Sequence, residues 1–300
     1  MSKNIIFVIS ILALLAIGAT SKNFFLKSNE TTEESKDFSS YWYDGKAEVS
    51  SYTLSQNRYG EIREGHTVLI FVTEDFSKKN QVKLDDPQKA GSDKQSILKL
   101  NFTKNFITGI YPYSILNSVF TPVDLSGTVK TSCSIQEWCG HTFTQLNKTK
   151  SGYKTSEFSY FESEGDKTQN LGDEILEDEL WTMIRINPEK IKTGKQKLII
   201  GNMAVRLLHK KLEVVDVNIS RTTKKLEEKE YQELTVQFRD RTLQIYYDKS
   251  FPYTIQGWEE TSTTKGKNIT TIARLKKSIR LPYWQLNHNK DIVYRDSLGI

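Results

Sequence analysis

The sequence predicts a mainly β protein: a single domain of long curved antiparallel strands, sandwich-like or half-barrel-like, with one amphipathic helix. Three observations predict it. Apolar and polar residues alternate over most of the chain beyond residue 41, as strands with one wet face require. The 300 residues include 14 Tyr, 14 Phe and 5 Trp but only 6 Pro, and aromatic residues suit a pleated, half-buried surface. No βαβ rhythm and no long internal period interrupts this texture, which leaves one antiparallel domain as the simplest architecture.

In chain order, "MSKNIIFVISILALLAIGAT" starts with Lys3, stays apolar over residues 5–19 and closes on small residues. That is the layout of an export signal, or of a short membrane anchor, over residues 1–19. Residues 20–40, "TSKNFFLKSNETTEESKDFSS", are polar and charged and read as a flexible spacer, so the β domain is expected to span residues 41–300. The expected location is outside the cytoplasm, periplasmic or tethered to the membrane through the N-terminus.

Within the domain, "SILKLNF" puts Leu98, Leu100 and Phe102 on one face, and "ELTVQFRD" does the same with Leu234, Val236 and Phe238. Each is a strand with one solvated side. "HTVLIFVTEDF" is apolar on both faces, with Val68, Ile70 and Val72 opposite Leu69 and Phe71, so it is expected to be a central strand with residues 69–72 as the best-buried run. "LGDEILEDELWTMIRINPE" spaces Leu176, Leu180, Met183 and Ile184 helically, with Asp173 and Glu174 in the first turn and Asn187-Pro188 as a stop, which predicts the one helix.

The formal charge is +5, with 42 basic and 37 acidic residues interleaved along the chain. Nucleic-acid readers concentrate basic charge on one face or helix, so no nucleic-acid partner is expected. Phosphate-loop, serine-elbow, zinc-helix and calcium-loop patterns are lacking, and no cofactor and no metal site is expected.

Chemistry-bearing residues fall in two stretches. "SCSIQEWCGHTFTQ" holds both cysteines, Cys133 and Cys139, beside Glu137, Trp138 and His141. An extended segment between the cysteines would span about 20 Å, far beyond disulfide reach, so a bridge needs an intervening turn. A Cys139 nucleophile served by His141 is one reading. The plainer one packs Cys139 as a small apolar group, with Trp138 and Phe143 filling the sheet interior. "YGEIREGHTV" brings Glu61, Arg63, Glu64 and His66 together before the central strand. Glu64 and His66 are candidates for acid and base work, and cross-strand ion pairs at a sheet edge are the structural reading of the same charges. Trp138, Trp258 and Arg63 are the candidates for ligand contact.

Taken in order, "YWYDGKAEVSSYTLSQNRYGEIREGHTVLIFVTEDFS", "EWCGHTFTQLN", "LWTMIRINPE" and "FPYTIQGWEE" resemble a group of exported Bacteroidota proteins that carry the label "septum formation inhibitor Maf". The resemblance implies export. The label implies a nucleotide pyrophosphatase, whose Ser-rich, Arg-containing phosphate loop has no counterpart in this chain. The expectation is therefore a non-enzymatic cell-envelope protein that carries an apolar ligand or serves as a docking platform for an envelope protein. A Cys139/His141 hydrolase and a nucleotide pyrophosphatase are the alternatives.

Overall fold

The computed structural model describes residues 31–226, 228–264 and 266–300; the expected export signal lies outside the described residues. The chain divides into two compact units, Met1–Asp44 and Gly45–Ile300, against an expected boundary near Tyr41. In the first unit, helix α1 (Thr31–Trp42) occupies the second half of the stretch read as a flexible spacer. Phe38 lies one turn from Trp42 with ring centroids 6.4 Å apart, an i,i+4 pair that supports a helix locally. Among the described residues no helix is long and apolar enough to cross a membrane.

The second unit is one curved sheet of fifteen strands. In sequence they are β1 (Ala47–Arg58), β2 (Glu61–Ser77), β3 (Lys94–Thr108), β4 (Tyr111–Pro122), β5 (Lys130–Glu137), β6 (Gly140–Thr149), β7 (Gly152–Ser159), β8 (Lys167–Leu171), β9 (Ile175–Leu176), β10 (Gly194–Ile199), β11 (Val214–Leu226), β12 (Lys229–Gln237), β13 (Arg241–Tyr247), β14 (Ile255–Thr264) and β15 (Lys267–Leu281). Their spatial order is β8-β7-β6-β5-β4-β3-β2-β1-β15-β14-β13-β12-β11-β10-β9. Short connections place successive strands side by side, and β1 pairing with β15 joins the two meanders. Every pairing is antiparallel except β9 with β10. The outermost strands, β8 and β9, are consecutive in sequence, so the sheet remains open between them.

Strand β2 sits in the middle of this order and is covered on both faces, as its sequence predicts. Leu69 and Phe71 are fully buried on one side. On the other, Val68, Val72 and half-buried Ile70 join Ala47, Val49 and Leu298 in a second apolar cluster. The longest buried run is nevertheless residues 176–185 and not residues 69–72, because this segment fills the sheet interior and meets side chains all round. Its Trp181 joins three rings of the sheet at the centre: Trp258 lies 5.1 Å from each of Tyr52, Phe102 and Trp181.

The single helix expected across this stretch is shorter than its periodicity suggests. Helix α2 spans Glu179–Ile186. Ile175 and Leu176 instead pair in parallel with Leu198 and Ile199, a tertiary pairing that overrides helical spacing. Two further short helices were not expected: α3 (Asn202–Leu207), which meets β5, and α4 (Val293–Leu298), which meets β15. Helix α2 is fixed to the sheet by a buried ion pair. The Arg185 guanidinium donates both terminal nitrogens to Glu48, at 2.5 and 2.6 Å, and its Nε to the Pro252 carbonyl at 2.9 Å.

Candidate functional site

The two cysteines are separated by the local geometry. Glu137 pairs with Gly140, leaving Trp138 and Cys139 as a two-residue hairpin loop that throws both side chains outward. Trp138 is 69% exposed, which corrects the expectation that it fills the sheet interior. Cys139 is likewise exposed rather than packed, and Cys133 is buried; both are free thiols. Gly140 fits because the Tyr160 ring lies over it, where an added Cβ would stand 2.6 Å away.

Cys139 is not activated in this setting. A hydrogen bond to Glu137 pushes its thiol above the ordinary value, the reverse of what a nucleophile needs. Glu137 also accepts the Cys139 backbone N–H at 2.7 Å, and His141 is exposed. Native alkylation should therefore modify one thiol, Cys139, slowly near neutrality and faster as the solution is made alkaline beyond the ordinary thiol range, with Cys133 reacting only after denaturation. Thiol counting by mass checks this; two protected thiols, or rapid reaction of Cys139 near neutrality, would contradict it.

The second stretch also departs from its expected role. Strand β2 pairs with β3 only from Gly65 onward, so Glu61, Arg63 and Glu64 are paired with β1 alone, at the end of the β1–β2 hairpin. Arg63 pairs along its own strand with Glu61 at 2.5 Å, and Glu64 accepts from Ser55 Oγ at 3.0 Å. Trp258, 1% exposed, is core rather than a ligand-contacting side chain. His66 has a different fate, because it looks out from the outer face of β2 into a groove.

That groove is a cavity of about 560 Å³ between the outer face of the sheet and the C-terminal segment that contains α4. Val49, Val68, Ile70, Leu281, Tyr283 and Leu286 form much of its wall, and His66, Asp291 and Arg295 supply the polar part. The covering segment is held by Ser51 Oγ donating to the Leu298 carbonyl at 2.5 Å and Lys276 Nζ donating to the Gly299 carbonyl at 2.7 Å. Burial, followed by the charges of Arg295 and Lys276, holds His66 below the usual histidine range. At neutral pH its imidazole is uncharged and offers hydrogen bonds, while Arg295 supplies positive charge.

A second polar constellation lies inside the sheet. Arg241 grips Glu177 through two nitrogens at 2.7 and 2.5 Å and reaches Glu260 at 3.0 Å. Glu177 accepts from Gly201 N at 2.8 Å, and Asp178 from Asn202 N at 3.1 Å and Asn202 Nδ2 at 2.9 Å. These two acids thus hold the chain entering α3, and buried Lys104, its ammonium pushed below the usual range by burial, donates to Gln56 at 3.2 Å. The helical reading of this stretch gives Glu177 and Asp178 no role. The available signal was the unbroken run Glu177, Asp178, Glu179 between Leu176 and Leu180, which one helix cannot turn entirely to water.

Burial, and then the neighbouring Glu177 charge, pushes the Asp178 carboxyl up to about 7, whereas an unfolded aspartate titrates near 3.9. Between those values the folded state binds the extra proton. The stability associated with it is complete below about pH 4 and is lost as pH rises through about 7. Asp178→Asn keeps an acceptor for Asn202 and removes the titration. Urea midpoints should show this variant gaining on the wild type from pH 4 to pH 8; parallel curves would contradict the assignment.

No family model and no curated protein matches the chain. Among solved structures, the crystal structure of a β-barrel-like protein of domain of unknown function DUF1849 from Brucella abortus is similar, with 8% identity over 78% of this chain and 96% of that chain and a TM-score of 0.45.

Proposed function

We propose that this chain is a non-enzymatic binding protein of the cell envelope that holds an apolar ligand, with a polar head, in the groove between the sheet and its C-terminal segment. The observation that carries this reading is the cavity of about 560 Å³ walled by aliphatic and aromatic side chains, with His66, Asp291 and Arg295 as its few polar groups. Small-molecule sites have this size and this composition. A neutral His66 and a charged Arg295 suit the head of an acyl-chain acid, whose tail lies against Val68 and Ile70. The hydrolase alternative is weaker, since Cys139 and His141 sit at an exposed hairpin tip and Glu137 makes the thiol a poorer nucleophile.

Titration with a dansylated fatty acid tests the reading. Binding should saturate at one equivalent, and Ile70→Trp, which fills the cavity from its wall, should weaken it at least about tenfold, a change of about 1.4 kcal/mol. Absence of saturable binding, or an unchanged affinity in the filled variant, would contradict it.

A further inference from the structure

The strand registers place four connections at one end of the sheet: the β1–β2 turn at Tyr59 and Gly60, the β3–β4 turn at Gly109 and Ile110, the β5–β6 turn at Trp138 and Cys139, and the β7–β8 loop that starts at Tyr160. Each presents a large apolar or aromatic side chain to solvent. Tyr59, Ile110, Trp138 and Tyr160 are 48, 81, 69 and 68% exposed. Neighbouring strands stand about 4.8 Å apart, so tips on alternate connections are separated by about 10 Å. They make a row of separate projections, where a protein–protein interface would offer a continuous, closely packed core. Trp and Tyr, with an apolar body and a polar tip, are the side chains that settle at a bilayer interface.

Behind Tyr59, at the same end, lies a cavity of about 390 Å³ whose lining includes four basic residues, Arg58, His209, Lys210 and Arg241, and one acid, Asp240. Lys210 pairs with Asp240 and Arg241 with Glu177 and Glu260. Arg58 is 2% exposed, and its guanidinium donates to the Leu207 carbonyl at 2.6 Å, to Tyr59 Oη at 3.2 Å and to Tyr113 Oη at 3.1 Å. All three acceptors are neutral, and among the described residues no carboxylate pairs with it. Burying a cation without a counter-charge is costly, and the faces of Tyr59 and Tyr113 under the guanidinium offset only part of that cost.

We propose that this end of the sheet docks on an anionic membrane surface, with the hairpin tips in the interface and a lipid headgroup phosphate in the Arg58 cavity supplying the missing negative charge. The inference is independent of the groove, which lies on the outer face of β1, β2, β3 and β15.

The test is quenching of Trp138 by vesicles containing a brominated phosphatidylcholine, with and without phosphatidylglycerol. The full-length wild type should be quenched, and the part of the quenching that disappears in Trp138→Phe reports this tip alone, whatever the N-terminus does. That Trp138-specific part should be at least several-fold greater with phosphatidylglycerol present and should fall at least tenfold in Ile110→Ser/Tyr160→Ser, whose side chains are exposed enough to leave the fold intact by circular dichroism. Equal quenching in wild type and Trp138→Phe would overturn the proposal. So would indifference to phosphatidylglycerol, or a Trp138 signal unchanged in the double variant.

Discussion

Arg185→Met should lower stability by about 3–5 kcal/mol, the cost expected when one partner of a buried ion pair is removed and the other is left charged in the interior. Glu48 and Arg185 are 1 and 0% exposed at their side chains. The guanidinium also lies over the Phe71 ring, 4.8 Å from its centroid, so methionine sacrifices the pair, the bond to Pro252 and this stacking together. Arg185→Met/Glu48→Leu removes both charges and should recover much of the loss, because two apolar side chains leave no orphaned ion. Urea denaturation of the two variants measures this directly. A single variant within about 1 kcal/mol of wild type would show that α2 is not anchored through this contact.

The second large effect is expected at Trp258. Truncation to alanine empties the space shared by Tyr52, Phe102 and Trp181 and should cost about 3–5 kcal/mol from lost burial and the cavity left behind. Tyr52 is further tied by its hydroxyl to the Ile255 carbonyl at 2.8 Å, which limits how far the neighbours can collapse into the gap. Thermal or urea unfolding read by near-ultraviolet dichroism checks it. A loss below about 1 kcal/mol would place Trp258 outside the core.

Much of the sheet is legible in the sequence because period-2 alternation is a local signal. Leu98, Leu100, Phe102, Leu234 and Val236 are buried as their spacing requires, and the doubly apolar β2 lies between β1 and β3 with covering on both sides. Contacts made across long stretches of chain leave weaker traces. Ile175 and Leu176 carry helical spacing yet pair with β10, because a partner more than twenty residues away decides their conformation. Trp138 and Cys139 look like strand interior when read by alternation. Their exposure follows from a two-residue loop with no glycine, proline or asparagine to announce it, and that single turn decides the fate of the whole cysteine cluster.

The groove was half legible. His66 stood out as a titratable residue before the central strand, but its setting depends on β1, β15 and residues 283–300 being brought together. The C-terminal Leu286, Tyr294 and Leu298 follow no strand period, and they acquire meaning only once Val49, Val68 and Ile70 are known to share an outer face. Arg58 was silent in the sequence for a similar reason: an arginine before a Tyr-Gly turn gives no sign that its neighbours in space will be carbonyl and hydroxyl oxygens rather than carboxylates.

The central claim, that the groove holds an apolar ligand, is tested most directly by photo-crosslinking with a diazirine-bearing fatty acid and mapping the adducts by mass spectrometry. Adducts should fall on peptides carrying Val68 and Ile70 and on those carrying Leu281 through Leu286, and should be suppressed by excess unlabelled fatty acid and by Ile70→Trp. Adducts confined to the hairpin tips at Ile110 and Trp138, or labelling that excess ligand leaves unchanged, would contradict it.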